Sequence, residues 1–247
     1  IGLRYDGQNM IHGQQGPALN WYRSISNDPR EWIQPVVALR GFDWKLAEDG
    51  KSASVQSQIE IKVGQVNIPY TVRYRVYSNG RVDVAADFTT ESNFDLPRLG
   101  LQMFLNPSLE QVEWYGRGPM ENYRDRKNAA YMGRYKTTVM DMAEHYARAQ
   151  TMGERTDTHW LALTDGQGKG LRITATDTLD FSAQHYTDKD LWQVKYGHDL
   201  SDIRRAEVVL NLDCIQRGLG NASCGPGPRP HYEIRKDTVY SYSFRME

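Results

Sequence analysis

Polar and apolar positions along this chain recur mostly with a period of two. Asn67 to Tyr77 reads NIPYTVRYRVY, which places Tyr70, Val72, Tyr74 and Val76 on one side of a strand and Thr71, Arg73 and Arg75 on the other. Asn79 and Gly80 follow, the strongest turn signal in the chain, and RVDVAADF returns from it. The pattern predicts a hairpin with one buried and one wet face. Similar signals recur at Asp6 and Gly7 near the start, at the DGK turn (Asp49 to Lys51) ahead of Ala53 to Val63, and at Leu99, Leu101, Met103 and Leu105. A further hairpin runs from Thr158 to Leu163 through Asp165 and Gly166 to Gly170–Thr176, and Val208 to Leu212 and Thr238 to Met246 supply later strands. With no long amphipathic helix among them, these segments predict an all-β, antiparallel fold of many short strands with little helix.

Three stretches break the alternation. Met140, Met142, Ala143 and Tyr146 fit either a short helical turn or an ordered loop, Asp180 to Gly197 is the least regular part, and Gly218 to Pro230 is a loop rich in glycine and proline. Loops of this last kind carry function when a rigid β scaffold holds them. Trp21, Tyr22 and Trp32 flank a polar segment and are expected to cover one end of the core.

The most unusual local chemistry lies in WYGRGPMENYRDR, Trp114 to Arg126. Gly116, Gly118 and Pro119 predict an irregular turn, the glycines by admitting positive φ and the proline by fixing its own. Glu121, Asn122, Arg124, Asp125 and Arg126 crowd charges and an amide beside Trp114, Tyr115 and Tyr123, a mixture that predicts a partly buried polar cluster. Such a cluster serves either to bury an irregular loop without orphaned polar groups or to present a ligand surface.

Bulk properties exclude several classes. The 247 residues carry 30 basic and 31 acidic side chains, a net charge of −1, with no basic face for nucleic acid. No apolar run approaches the ~20 residues of a membrane helix. Cys214 and Cys224 share one loop region and are either a bridge or two free thiols. The chain opens at Ile1 and reads as a fragment of a longer protein.

Catalytic constellations are sparse. Asp141 and Glu144, the nearest local carboxylate pair, read as solvated loop residues. His145, His159, His185 and His198 lack the i, i+4 spacing of a zinc face. Ser223 has no strand-turn-helix elbow around it, and GLGNAS lacks the lysine and helix of a phosphate loop.

Four ordered stretches carry a resemblance. GRGPMENYRDR resembles the G-x-GP-x-ENY-x-DR signature of the C-terminal small-chain domain of family-2 glycoside hydrolases, the β-galactosidases. GPALNWYRSISND (Gly16 to Asp28) resembles the family's GP-x-LN-x-WRAP-x-DND segment, with Tyr22 and Ser24 to Ser26 departing from it. Tyr146, Arg148, Gln150, Gly153, Arg155, Thr156, Asp157 and Trp160 resemble Y-x-RPQE-x-G-x-R-x-D-x-x-W, and LNLDCIQRGLGNASCGPG (Leu210 to Gly227) resembles LN-x-D-x-x-Q-x-G-x-GG-x-x-SW.

The resemblance implies a single antiparallel supersandwich domain over residues 1–247, of the galactose mutarotase-like type, within an enzyme that hydrolyses terminal β-D-galactosides with retention. The two catalytic glutamates would sit on an upstream (β/α)8 barrel, together with the magnesium and sodium that full-length members use, leaving no catalytic residue, metal or cofactor in this domain. Its partners would be that barrel and the sugar, and a homo-oligomer is compatible with it. Trp114, Gly116, Gly118, Pro119, Glu121, Asn122, Tyr123, Asp125 and Arg126 become a structural motif. Asn221, Ser223 and Cys224 become a substrate-pocket loop, in which Cys224 stands where the family has a sugar-stacking tryptophan. The rival reading is a stand-alone sugar-binding or aldose-epimerase-like module, which needs a histidine and a carboxylate together; His159 or His185 with Glu154 or Asp157 are its candidates.

Overall fold

A computed structural model describes residues 3–5, 7–26, 28, 35–63, 66–90, 96–221 and 225–247. In chain order the strands are β1 (Arg4–Tyr5), β2 (Gln8–Asn9), β3 (Ala18–Asn20), β4 (Val36–Leu46), β5 (Ser52–Val63), β6 (Val66–Tyr77) and β7 (Val82–Thr89). They continue with β8 (Arg98–Leu105), β9 (Gln111–Gly118), β10 (Tyr131–Thr138), β11 (Arg155–Thr164), β12 (Gly170–Gln184), β13 (Val208–Gln216) and β14 (Val239–Met246). One short α-helix, α1 (Asp188–Gln193), lies between β12 and β13. The expected all-β antiparallel class is thus what the chain adopts, although several strands are long: β12 has 15 residues and β5 and β6 have 12 each.

The chain divides into two compact units, each drawn from three stretches. The first comprises residues 1–28, 96–171 and 178–234. There β3 pairs with β8, β8 with β13, and β13 with the second half of β12, while β9 lies between β10 and β11. Strands β8 and β13 are buried on both faces, so their near-continuous apolar runs make the core: Leu99, Leu101, Met103, Val208, Leu210 and Leu212 are all fully enclosed. Trp114 joins them, edge-on to Phe181 at 5.9 Å and tilted against Tyr135 at 5.3 Å. Trp21 is buried beside Tyr22; Trp32 lies outside the described residues, as does Asp6 of the turn expected near the start.

The stretch that looked least regular is ordered. β12 continues to Gln184, and Thr187 then caps α1: its hydroxyl accepts from Asp190 N at 3.1 Å while the Asp190 carboxylate accepts from Thr187 N at 2.8 Å. This reciprocal capping box satisfies two otherwise orphaned amides. Leu191 then packs on Ala149, Met152 and Leu200 in a small satellite cluster. Met140–Met142 form a single 3-10 turn, where the resemblance favoured an ordered loop, and the backbone is extended again at Ala143.

The second unit comprises the described parts of 29–95 with 172–177 and 235–247. Its sheet runs from residues 173–175 of β12 through β14, β7, β6 and β5 to β4 at the edge. Tyr70, Val72, Val84 and Phe88 bury one face, as alternation required, but Val76 near the turn is 41% exposed. The other face is polar, with Arg73 paired to Asp87 and Arg245 to Asp83. A register shift between Leu39 and Gly41 inserts one residue into β4. It keeps Phe42, Trp44 and Leu46 on the face that carries Val37 and Leu39, and all five side chains are between 59 and 65% exposed.

Candidate functional site

The signature of residues 114–126 is built on β9, and it corrects one expectation. Gly116 and Gly118 are strand residues without positive φ, not turn glycines. They are glycines because of neighbours: a Cβ on Gly116 would lie 2.6 Å from Thr158 Oγ1 and 2.9 Å from Thr158 Cα, and one on Gly118 would lie 2.9 Å from the Trp114 ring. After Pro119 the chain leaves the sheet, and its polar side chains turn inward. Asn122, fully buried, accepts from Thr156 N at 3.0 Å and Thr156 Oγ1 at 2.6 Å, and its amide donates to Met120 O at 3.0 Å. Glu121 accepts from Gly153 N at 2.8 Å, from Tyr123 Oη at 3.1 Å and from Tyr146 Oη. The buried polar cluster predicted from sequence is therefore present, and the bonds of Glu121 and Asn122 run to the stretch between Tyr146 and Thr156 or within the signature.

The glycine-rich loop leaves β13 at Arg217. Its neck is closed by Gly218 N donating to Tyr232 O at 2.9 Å and by a two-pronged ion pair, Arg217 Nε and Nη2 to the Glu233 carboxylate at 2.5 and 3.1 Å. Arg23, buried with Asp28, donates to Arg217 O at 2.6 Å from outside the neck. Beyond it Asp125 accepts from Leu219 N at 3.0 Å and Gly220 N at 2.7 Å. Further along, Asn221 N donates to Pro226 O and Gly225 N to Asn221 O. Ser223 and Cys224, expected with Asn221 at the pocket rim, lie outside the described residues; Cys214 is a free thiol whose burial pushes it up to about 12.

Between this loop and the signature is a cleft of about 360 Å3, lined among others by Glu121, Tyr123, Arg126, Tyr146, Gln150 and Asn221. It offers a carboxylate, a guanidinium, two amides and two phenols, a set able to meet hydroxyl groups from several directions. Burial first, and the adjacent Glu121 second, raise both tyrosine pKa values, so the phenols remain hydrogen-bond donors at neutral pH. A larger hollow of about 690 Å3 lies on the polar face of the second unit, but its lining contains no signature residue, Arg73 and Arg245 are paired with aspartates, and Arg75 is bonded to Ser52.

Behind the cleft, Arg98 is fully buried among three acids. Nη1 lies 2.8 Å from Asp188, Nε 3.1 Å from Asp213 and Nη2 3.6 Å from Glu154. Burial, and then the Asp213 charge, hold Glu154 well above the usual carboxylate range, while burial pushes Asp213 up to about 6 against the lowering pull of Arg98. One cation is thereby balanced by fewer than three anions. The remaining oxygen of Asp188 accepts from Thr151 Oγ1 at 2.5 Å and Ser24 N at 3.3 Å, and Thr151 lines the cleft. Sequence reading missed Arg98, Asp188 and Asp213. The signal was present: a charge at the head of the apolar run RLGLQMFL and another inside VVLNLDC.

The epimerase-like pairs are not formed. His185 is buried against Glu110 at 2.8 Å, His159 stacks on Tyr115, Glu154 belongs to Arg98, and Asp157 is held by Lys127 and Arg117. Asp141 accepts from Thr138 on an exposed turn. Among the described residues no three His, Cys, Asp or Glu side chains are grouped to hold a metal, and no helix is long and apolar enough to cross a membrane.

The four stretches singled out from sequence therefore meet in space: Asn20 donates to Asn211 at 2.9 Å, Arg23 holds Arg217, Asn122 holds Thr156, and Asp125 holds Gly220. Fold and site together define an antiparallel β domain in which remote segments assemble one loop-rimmed polar cleft. The family model for the β-galactosidase small chain matches residues 1–246, and the chain belongs to that family. It is 32% identical over 228 residues to a β-galactosidase of Staphylococcus xylosus, covering 91% of this chain and 22% of that protein. It is 26% identical over 259 residues to one of Priestia megaterium, covering 100% and 24%. The chain thus spans about a quarter of the length of these relatives. Among solved structures it is similar to a GalM/aldose epimerase homologue from C. elegans, with a TM-score of 0.44, 11% identity, and 99% and 77% of the two chains covered. Galactose 1-epimerase from Lactobacillus acidophilus gives a TM-score of 0.45, with 6% identity and 100% and 74% covered.

Proposed function

We propose that this chain is the C-terminal supersandwich domain of a family-2 retaining glycoside hydrolase acting on terminal β-D-galactosides. In that enzyme it buttresses the upstream (β/α)8 barrel and lends the loop around Asn221, Ser223 and Cys224 to the rim of the substrate pocket. The observation that carries the reading is the convergence of all four family-like stretches on one loop and its cleft, in a chain about a quarter as long as the relatives it matches. The apolar row on β4 adds support, since exposed rows of this kind mark surfaces that other protein covers.

Retaining hydrolysis needs two carboxylates about 5 to 5.5 Å apart and facing a sugar. In the cleft the described lining offers Glu121, whose oxygens already accept from three donors, so the reacting pair is assigned to the barrel. The magnesium and sodium of full-length members would be held by the barrel as well. With cysteine where a stacking tryptophan stands in the family, the rim binds sugar by hydrogen bonding more than by an aromatic face. Steady-state kinetics of the intact enzyme test this: Asn221→Ala and Cys224→Ala are expected to raise KM for a β-galactoside severalfold. The chain alone is expected to leave an aryl β-galactoside intact, and turnover by it well above buffer would overturn the reading.

A further inference from the structure

We infer that Asp125 and Arg126 are positioning residues, which set the orientation of the substrate-facing loop from the rigid body of the signature. The inference rests on the reading above that this loop meets substrate. Among the described residues, the hydrogen bonds of these two side chains to the loop run to the backbone of its first limb. Each carboxylate oxygen of Asp125 takes one of two successive amides, Leu219 N at 3.0 Å and Gly220 N at 2.7 Å, and Arg126 Nη2 donates to Gly220 O. Two adjacent N–H groups held by one carboxylate fix the limb's direction as well as its distance. The fit is close: a Cβ on Gly218 would lie 2.9 Å from the Asp125 carboxylate, and one on Gly220, at φ 56°, would lie 2.5 Å from Gly227 of the returning limb. Asn221, the next residue, lines the cleft.

The holder is itself held. Tyr123 and Arg126 exchange backbone hydrogen bonds at 3.2 and 2.7 Å, so Asp125 sits inside a closed two-way turn. Tyr123 is buried and bonded to Glu121, and Asn122 N donates to Glu154 O at 2.8 Å. The neck, by contrast, is closed without these residues, by Arg217 with Glu233 and by Gly218 with Tyr232. Loss of the clamp therefore frees the limb carrying Asn221 without opening the loop's base. This separates a positioning role from a purely structural one.

The test uses the intact enzyme with Asp125→Asn, Arg126→Gln and Asn221→Ala. Asparagine retains one acceptor and turns an NH2 toward the second amide. Asp125→Asn is expected to speed hydrogen exchange of the 218–221 segment about tenfold, raise KM about tenfold, and change kcat less than about threefold, the scale of one charged hydrogen bond. Arg126→Gln, from an exposed side chain, is expected to give about a threefold KM effect, and it keeps the test alive if Asp125→Asn fails to fold. Combined with Asn221→Ala, the KM effects should fall short of the product of the single effects, since both act through one loop. Exchange unchanged in both clamp variants would overturn the proposal, as would faster exchange with KM unmoved while Asn221→Ala still raises it. If Asn221→Ala and Cys224→Ala both leave KM unmoved, the loop does not meet substrate, and the functional reading falls with the proposal.

Discussion

Replacing Arg98 by methionine removes the cation paired with Asp213, Asp188 and Glu154, leaving acid side chains that are at most 4% exposed. Breaking a buried ion pair by deleting one partner costs about 3–5 kcal/mol, because the other charge stays behind uncompensated. Set against a typical stability of about 5–15 kcal/mol, that is a large share. The cost also depends on pH, with a definite sign. Asp213 titrates at about 6 in the folded protein against an ordinary 3.8, so the native state takes up a proton that the unfolded chain does not. Its stabilising contribution is complete below pH 4 and is lost as pH rises to 6, an interval worth about 3 kcal/mol.

Without Arg98 the influence that lowers Asp213 is gone, its titration moves higher, and the loss extends beyond pH 6. The deficit of the variant should therefore be larger at pH 8 than at pH 5. Urea unfolding followed by tryptophan fluorescence at both values measures it. Glu154→Gln is the matched control: burial favours the neutral form of Glu154, which glutamine imitates, and less than about 1 kcal/mol should be lost. A deficit for Arg98→Met below about 1 kcal/mol at pH 8, or the same deficit at both values, would refute the electrostatic account.

Two further substitutions probe the signature. Gly116→Ala drives a methyl group into the Thr158 backbone and should cost about 1–3 kcal/mol, whereas Gly166→Ala, with nothing within 4 Å, should cost under about 0.5 kcal/mol; thermal unfolding of the pair decides. Asn122→Ala strands Thr156 N in a buried site and should cost about 1–3 kcal/mol, with urea midpoints as the readout and an unshifted midpoint as the contrary result.

Hairpins were legible because their cause is local. The alternation of β6 and the Asn79–Gly80 turn lie within a few residues of one another, and the sheet that results needs nothing from elsewhere to choose its faces. Val76, the last position of that row before the turn, pairs with Ala53 and Val82 and stays 41% exposed, which alternation alone does not foresee. The glycines of the signature were read as turn formers because positive φ is the local reason for glycine, while the actual reason is Thr158, some forty residues away. Arg98 stood out as a charge at the head of an apolar run, but its partners were hidden for the same cause, since residues 154, 188 and 213 are brought to it by the fold. Helix α1 carried its own marker in Thr187 and Asp190, but an aspartate in the place where glutamate or glutamine usually completes a capping box disguised it. That Asp125 holds the glycine-rich loop was not legible either, as nothing in the spacing of 125 and 219 joins them.

Asp188 faces two ways: one oxygen neutralises Arg98, and the other receives Thr151 and Ser24 beneath the cleft. Trimming this residue, or moving Thr151 away from it, therefore sends an error from the floor of the cleft straight into a fully enclosed charge. Reshaping the cleft and repacking the interior are here a single problem, and libraries aimed at the floor should vary Asp188 and Arg98 together.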